Sequence, residues 1–424
     1  MKRSKKVLAI LISAILLIGT ISGCSKSNSA SLSSSNAPVT ITHWLWVDDP
    51  NYMATMNLIA DDFHRANPNI TVKMETYPYA DFSNTLSTAL AGGGGPDTAS
   101  FKLTWTPTYT QNKYLLDLDN STSSWSGKSD VLSMLLDKMK LAGGGKIYTM
   151  PWTWQVLYVY YRPSLFKIAG ITAVPTTFDD FIADIKKCTM MVNGKKVYGF
   201  GLRGASGGQE PWGSFVAAYG GKFQDAKGNV TLNSPATVQG TQAFIDLYKG
   251  GYTPPSAPND GLAQLEANFI SGETAMFIHH VGSSVSMVKA LGADVDAFPM
   301  PKGSAGQWTS MGDTENVVIA STKKAAAAEK WVQYLASADA VSMWDTATGN
   351  LPVDQSVANM SSFANNKFVK VSMASASYAG ILPILPTTAN FVNNEWAPIM
   401  QQALAGKITA ADAVKQYDSI LKGS

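Results

Sequence analysis

The sequence predicts an α/β fold that is divided into two lobes. Strand-like and helix-like stretches alternate along the 424-residue chain, no repeat of fixed period is visible, and the length exceeds that of one small domain. The hydrophobic content of 45% is typical of a globular protein with a packed core. These observations predict two lobes of similar size, the first of them built on a mainly parallel sheet.

The N-terminal residues are interpreted as an export signal followed by a tether. A basic head at residues 2–6 precedes an apolar run at 7–21, which is shorter than the roughly 20 residues that span a bilayer as a helix. The run ends in Ile21-Ser22-Gly23-Cys24, which resembles the cleavage site of bacterial lipoproteins. We therefore expect a signal peptide at 1–23, lipidation of Cys24 and a flexible Ser-rich tether at 24–38. The alternative is an ordinary signal peptide with a chance cysteine.

Hydrophobic spacing places the first strands and helices. Residues 39–46 alternate, with Ile41, His43 and Leu45 on one face, which predicts a strand. A helical pattern then runs to Asn67-Pro68, and a second alternating stretch occupies 70–75. This βα order predicts that the first lobe begins here.

Three later helices carry recognisable start signals. Thr177 with Asp180 resembles a capping box before a helix at 178–187. Ser234 precedes a proline, as at many helix N-termini, and Gly250 ends the predicted helix. Thr409 with Asp412 predicts the start of a last amphipathic helix that continues to residue 421.

Charge and cysteine content exclude several classes of protein. Removing the four basic residues of the signal from the 33 in the chain leaves 29 against 31 acidic residues, and no basic stripe with interleaved aromatics is present, so no nucleic-acid partner is expected. Cys188 is the only cysteine besides Cys24, so no disulfide framework is expected. We interpret Cys188 as buried filler rather than a nucleophile.

Several segments resemble the extracellular solute-binding proteins of carbohydrate ABC importers, the maltose-binding-like group. The clearest are Gly145-Lys146-Ile147-Tyr148-Thr149-Met150-Pro151 and Gly272-Glu273-Thr274-Ala275-Met276. The full set follows the family's order and consists of 94–97, 145–151, 160–166, 170–178, 272–276, 298–303, 326–335 and 349–352.

The resemblance implies a type II-like periplasmic-binding-protein fold, with a ligand cleft between the lobes that closes around the ligand. Lobe I would comprise 39–153 and 300–336, and lobe II 156–297 and 338–424. The resemblance also implies a monomeric, non-enzymatic receptor without cofactor or metal. We expect the ligand to be a sugar, and in particular an oligosaccharide. The receptor would deliver it to an ABC permease from the outer face of the cell membrane, where the lipid anchor holds the protein.

Sugar chemistry selects candidate residues near the ends of predicted strands. Sugar hydroxyls favour carboxylates and amides, sugar C–H faces favour aromatic rings, and ligand sites favour the C-terminal ends of strands. Trp46 ends the first strand, and Asp48 and Asp49 follow in the loop that supplies charged sugar partners in the resembling group. Trp105 follows a later strand and is a candidate stacking ring. The alternatives are a solvated turn for the aspartates and ordinary packing for Trp105.

Alignment with the group adds candidates further along the chain. Trp154 and Gln155 fall at the first crossing between lobes, where the group has a sugar-binding acid at the position of Gln155. The run Gln209-Glu210-Pro211-Trp212 matches a segment that gives the sugar a carboxylate and a ring, roles that would fall to Glu210 and Trp212. The alternative is a capping glutamate beside a core tryptophan.

Three further candidates come from the C-terminal half of the chain. Adjacent strand residues point to opposite faces, so the pair His279-His280 favours a loop contact from His280 over metal binding. Asp313 lies in a segment that faces the cleft in the family. Trp396 falls where the group keeps an aromatic platform for the ligand.

Two alternative functions stay open on the residues alone. A surface glycosidase would need two paired carboxylates, and no motif links Glu210 with Asp48. HExxH, GxSxG and P-loop motifs are absent. The same fold could also bind iron, phosphate or a polyamine, although eleven tryptophans, several of them at predicted strand ends, favour a sugar.

Overall fold

The computed structural model describes residues 37–46 and 50–423. Its strands are β1 (Val39–Leu45), β2 (Ile70–Thr76), β3 (Thr98–Phe101), β4 (Thr149–Tyr161), β5 (Met190–Val192), β6 (Lys195–Val197), β7 (Met276–His280), β8 (Asp296–Phe298), β9 (Thr309–Val318), β10 (Leu351–Pro352) and β11 (Ala379–Gly380). A 3-10 turn, Leu103–Trp105, follows β3. Among these residues, no helix combines the length and apolarity needed to cross a membrane.

The helices in the described residues include the three whose starts the sequence predicts. They are α1 (Pro50–Ala66), α2 (Tyr79–Ala91), α3 (Thr106–Gln111), α4 (Asp119–Ser124), α5 (Ser133–Ala142), α6 (Pro163–Ile168), α7 (Phe178–Cys188), α8 (Gln209–Ala218), α9 (Pro235–Lys249), α10 (Leu262–Ser271), α11 (Ser284–Leu291), α12 (Ala325–Leu335), α13 (Ala338–Thr348), α14 (Gln355–Ala358), α15 (Ser361–Ala364), α16 (Lys367–Ala376), α17 (Thr388–Asn390), α18 (Trp396–Leu404) and α19 (Ala410–Lys422). A π-helical turn, Phe391–Glu395, lies between α17 and α18.

Helix capping follows the sequence pattern. The hydroxyl of Thr177 accepts a hydrogen bond from the backbone N–H of Asp180, and the hydroxyl of Ser234 accepts one from Thr237. Thr409 and Asp412 form a complete capping box at α19. Each cap satisfies a backbone donor that the first helical turn leaves unpaired, which explains why these three starts are legible in the sequence.

The main sheet is mixed rather than mainly parallel. β1 pairs in parallel with β2 and β3, as the βα order predicts, and Ile41, His43 and Leu45 form its buried face. β9 then runs antiparallel between β3 and β4, and β10 lies beside β4, so the order is β10-β4-β9-β3-β1-β2. Sequence spacing does not reveal this antiparallel insertion, because β9 is buried along its whole length and therefore does not alternate.

β4 is a continuous strand of 13 residues that is shared by two parts of the molecule. Its first part, up to Val156, pairs with β9, and from Leu157 onward it pairs with β7 and β8. The change of partner lies directly after 152–156, where we expect a crossing between lobes. β4 therefore connects the two halves without a flexible linker.

Among the residues that the structure describes, buried apolar side chains form two large clusters and a smaller one. The first cluster contains Ile41, Phe63, Trp154 and Trp331, and the second contains Phe181, Phe215 and Tyr417. The third cluster surrounds Phe82, Phe101 and Trp105 beside the edge of β3.

The segment 338–376 divides between two sides of the molecule, whereas the boundaries expected above group all of it with 156–297. α13 packs against α1, where Trp344 contacts Tyr52, beside the β10 strand that pairs with the first part of β4. α16 instead packs against β4 and β8, where Phe368 contacts Tyr160. The lobe division stays a proposal.

A buried aspartate on α13 gives a pH-dependent stability prediction. Asp345 is fully buried, and burial together with the nearby charge of Asp354 raises its pKa well above the usual range, opposed only by the Thr153 hydroxyl. Burial also raises the pKa of Asp354 to about 7. Since the folded state then holds protons that the unfolded state releases, stability is fully present at low pH and falls as pH rises from the unfolded pKa through the raised values.

We expect Asp345→Asn to increase the free energy of unfolding at pH 8, because the amide does not have to take up the proton that the buried carboxyl binds above its unfolded pKa. The gain should shrink at pH 4, where the native carboxyl is already neutral. Urea unfolding at both pH values measures it, and the exposed Asp137→Asn on α5 serves as the control. Equal stability of Asp345→Asn and the parent at pH 8 would contradict a raised pKa for the Asp345 carboxyl.

Candidate ligand cavity

A small cavity, with about 20 Å³ of space open to a water-sized group, lies where β9, α8 and the turn after β3 meet. This space is about that of one water, so a sugar fits only when the walls move apart. Its walls come from distant parts of the chain and consist of Tyr79, Lys102, Thr104, Trp105, Glu210, Ser310, Met311, Gly312, Asp313, Leu382 and Val392. The lining therefore combines two rings, three charged groups and several small or apolar side chains.

The 3-10 turn after β3 is attached to β9 through Asp313. The backbone N–H of Leu103 donates to Asp313 Oδ1 at 2.8 Å, and the Lys102 ammonium donates to the Asp313 carbonyl oxygen. Lys102 Nζ also lies 5.6 Å from the centre of the Trp46 ring, a cation–π distance. These contacts fix Lys102, Thr104 and Trp105 at the carboxyl end of β3, on the cavity wall.

Glu210 lines the cavity from the first turn of α8. Burial raises the pKa of its carboxyl, the cations Lys102 and Arg203 oppose that rise, and Asp313 adds to it. The first turn of a helix favours a negative charge, so this position can hold a carboxylate. The arrangement can accept hydrogen bonds from hydroxyl groups.

Asp313 and Glu315 form an acidic pair along β9. Burial raises the pKa of Asp313, while Lys102, the Leu103 N–H and Lys138 oppose the rise. Burial and the charge of Asp313 raise the pKa of Glu315 well above its usual range. We therefore assign the proton of this pair to Glu315, which leaves Asp313 as the ionised wall of the cavity.

Three predicted residues, Trp105, Glu210 and Asp313, line the cavity together. Trp46 lies behind Trp105, with the ring centres 5.9 Å apart. Gln155 pairs with Gly312 in the sheet, and a Cβ added to Gly312 would lie 3.5 Å from its Oε1. Gln155 is thus placed directly behind the cavity wall.

Three predicted tryptophans are core residues in this structure. Trp154 is buried in the first cluster, and its Nε1–H donates to the Pro352 carbonyl at 2.9 Å. Trp212 and Trp396 are both fully buried in the second cluster, where Trp212 donates to Thr241 Oγ1 at 3.0 Å. Stacking of a ligand on these rings is therefore corrected to core packing, because none of them has an exposed face. The same holds for Trp105, which adjoins the cavity but is only 1% exposed and packs against Phe82 and Phe101.

The two histidines at the end of β7 lie side by side, against the expectation of opposite faces. Their ring centres are 3.9 Å apart, because His280 is the last strand residue and caps the next turn by accepting from the Gly282 N–H. Burial and the cations Lys102 and Arg203 lower the pKa of His280 to about 3. His280 is therefore a neutral group engaged in a local cap.

Three predicted residues, Asp48, Asp49 and Cys24, lie outside the described residues, so their roles stay predictions. Across residues 37–46 and 50–423, no three His, Cys, Asp or Glu side chains are grouped so that they could hold a metal ion.

Sequence reasoning missed several wall residues. Lys102 could have been selected, because it directly follows β3 and ligand sites favour the C-terminal ends of strands. Tyr79, Leu382 and Val392 carry no comparable signal, since an apolar side chain outside a long periodic pattern does not indicate which surface it faces.

Comparison with known proteins places these features in a family. Residues 48–342 match the family described as bacterial extracellular solute-binding proteins. The chain is 25% identical over 378 residues to the diacetylchitobiose-binding protein DasA of Streptomyces coelicolor, with 85% of this chain and 84% of that protein covered. It is 23% identical over 428 residues to the maltodextrin-binding protein MdxE of Bacillus subtilis, with 96% and 95% covered.

Solved structures show the same fold. The GacH receptor of Streptomyces glaucescens, solved unliganded and with acarbose, aligns with a TM-score of 0.81 at 23% identity, covering 90% of this chain and 98% of that one. An ABC transporter solute-binding protein of Thermotoga lettingae, bound with α-D-tagatose, aligns with a TM-score of 0.82 at 22% identity and covers 90% and 99%. The fold is thus the two-lobed one of periplasmic binding proteins, and the chain belongs to the bacterial extracellular solute-binding protein family.

Proposed function

We propose that this protein captures an uncharged sugar in the cavity between its lobes and delivers it to an ABC permease. One observation supports this most: Glu210 and Asp313 line a single cavity together with the partly exposed ring of Tyr79. A ring with carboxylates beside it matches the C–H faces and hydroxyls of a sugar. The relatives named for diacetylchitobiose and maltodextrin support the same ligand class.

The charge of the cavity favours a neutral sugar. Lys102 acts on both Glu210 and Asp313, Arg203 acts on Glu210, and Lys138 acts on Asp313. An acidic sugar would meet the two carboxylates, and a polyamine would meet the cations. Because groups of both signs surround the cavity, an uncharged polyhydroxyl ligand encounters the lowest electrostatic cost.

A thermal-shift screen of the purified protein tests the proposal. A neutral mono- or oligosaccharide at a hundred times its Kd should stabilise the fold by about 2.7 kcal/mol. Uronic acids, spermidine and ferric citrate complete the panel, and the sugar should be recovered unhydrolysed. Stabilisation by spermidine or iron alone, or recovery of a cleaved sugar, would replace the proposal with one of the alternatives.

The proposal includes a lipid anchor at Cys24. We expect Cys24→Ser to release the protein from the membrane fraction into the medium or periplasm, because the thioether-linked lipid would be lost. Fractionation of cells that express either form, followed by immunoblotting, measures the distribution. A parent protein that is as soluble as the variant would contradict lipidation.

A further inference from the structure

A polar contact joins α2 to the π-helical turn beside the ligand cavity. Asn84 Nδ2 donates to Asn394 Oδ1 at 3.0 Å, and Asn393 Nδ2 donates to Ser83 Oγ at 3.0 Å. The two sides are 310 residues apart in the chain. In the described part of the chain, no backbone hydrogen bond joins α2 to this turn, so the polar contact is made by side chains.

The contact adjoins the cavity on both sides. Tyr79, at the start of α2, and Val392, directly before Asn393, both line the cavity. α2 packs in the third cluster through Phe82 and Leu86, which Ala389 of α17 also joins, and Val392 packs in the second cluster. The contact therefore lies where these two clusters meet, beside the cavity.

The orientation of Asn394 is fixed by its own helix. Its Nδ2 donates to Asn390 Oδ1 at 3.0 Å, which leaves Oδ1 directed at Asn84. Asn84 and Asn394 are both exposed, so they do not serve core packing. π-helical turns are rare and occur frequently at functional sites, so this one calls for a role beyond folding.

We propose that Ser83, Asn84, Asn393 and Asn394 form a latch that sets the balance between open and closed lobes and thereby the affinity for the ligand. The inference rests on the proposed function, because a latch matters only if the lobes close on a ligand. None of the four side chains lines the cavity, so they act on affinity through closure alone. A contact made only in the closed form shifts the equilibrium toward that form by its own free energy.

Charge variants of the exposed pair test the latch. Asn84→Lys with Asn394→Asp creates an attraction across the contact, and Asn84→Asp with Asn394→Asp creates a repulsion. The matched control for the added negative charge is Asn120→Asp with Asn359→Asp, two exposed positions away from the cavity. Small-angle scattering of the sugar-free proteins gives a readout that does not depend on knowing the ligand.

We expect the repulsive variant to have a larger radius of gyration than the attractive one, with the difference abolished in 1 M salt, where the Debye length is about 3 Å. The control should match the parent. For a sugar found by the screen, the repulsive variant should bind about tenfold more weakly than the attractive one, or 1.4 kcal/mol. Equal radii and equal affinities would overturn the latch. If no sugar binds the parent, the proposed function fails, and the scattering comparison still decides the latch.

Discussion

Glu210→Ala is expected to weaken binding of the sugar by at least tenfold, about 1.4 kcal/mol. The carboxylate accepts hydroxyl hydrogen bonds in a largely enclosed cavity, and such charge-assisted bonds contribute about 1.5–3 kcal/mol each. Because burial raises the pKa of Glu210, the fold disfavours its ionised form, and its removal should not lower the melting temperature of the free protein. Calorimetric titration and thermal unfolding measure the two effects.

The control for this variant is Glu273→Ala, an exposed glutamate outside the cavity lining, which should leave affinity and stability unchanged. A Glu210→Ala protein that binds as tightly as the parent but melts much earlier would show that Glu210 is a structural cap of α8 and not a ligand group.

Trp212→Ala should destabilise the fold, in contrast to Glu210→Ala. We expect a loss of about 3–5 kcal/mol in the free energy of unfolding, as for other large-to-small changes in a core. The ring is fully buried, packs against Phe223, Trp396 and Tyr417, and donates a hydrogen bond to Thr241. The variant loses these contacts and leaves the Thr241 hydroxyl without that donor. Denaturant unfolding measures the loss.

The milder Trp212→Phe keeps much of the ring volume and should lose less stability while retaining sugar affinity. It keeps the test decisive if the alanine variant fails to fold. An unchanged unfolding midpoint with a large loss of affinity would restore Trp212 to the ligand site and contradict its assignment to the core.

Helix geometry explains why the sequence predicts Glu210 and Trp212 together. The motif indicates that the segment faces a ligand, but it does not show that 209–218 is helical. Residues two apart on a helix point about 200° from each other, so a helix that directs Glu210 into the cavity directs Trp212 into the core. The same reasoning separates Trp154 from Gln155, since neighbours on β4 face opposite sides of the sheet.

Local signals predict local structure well, whereas long-range pairing is not predictable from them. Caps at Thr177, Ser234 and Thr409 depend on residues three positions away, and the structure shows all three. The position of β9 between β3 and β4, and the pairing of β10 with the first part of β4, depend on contacts between residues more than a hundred positions apart. No spacing rule in a single sequence reports such contacts.

Calorimetric titration of the parent and of Glu210→Ala combined with Asp313→Asn tests most directly whether the sugar binds in this cavity. The amide introduced by Asp313→Asn retains an oxygen for the Leu103 N–H, so the turn after β3 should stay in place while both carboxylates of the cavity are lost. We predict one sugar per parent chain and an affinity at least about a hundredfold weaker in the double variant, or 2.8 kcal/mol, for two tenfold losses. Equal affinity in two equally folded proteins would show that the sugar binds elsewhere and would contradict the assignment of this cavity as the sugar site.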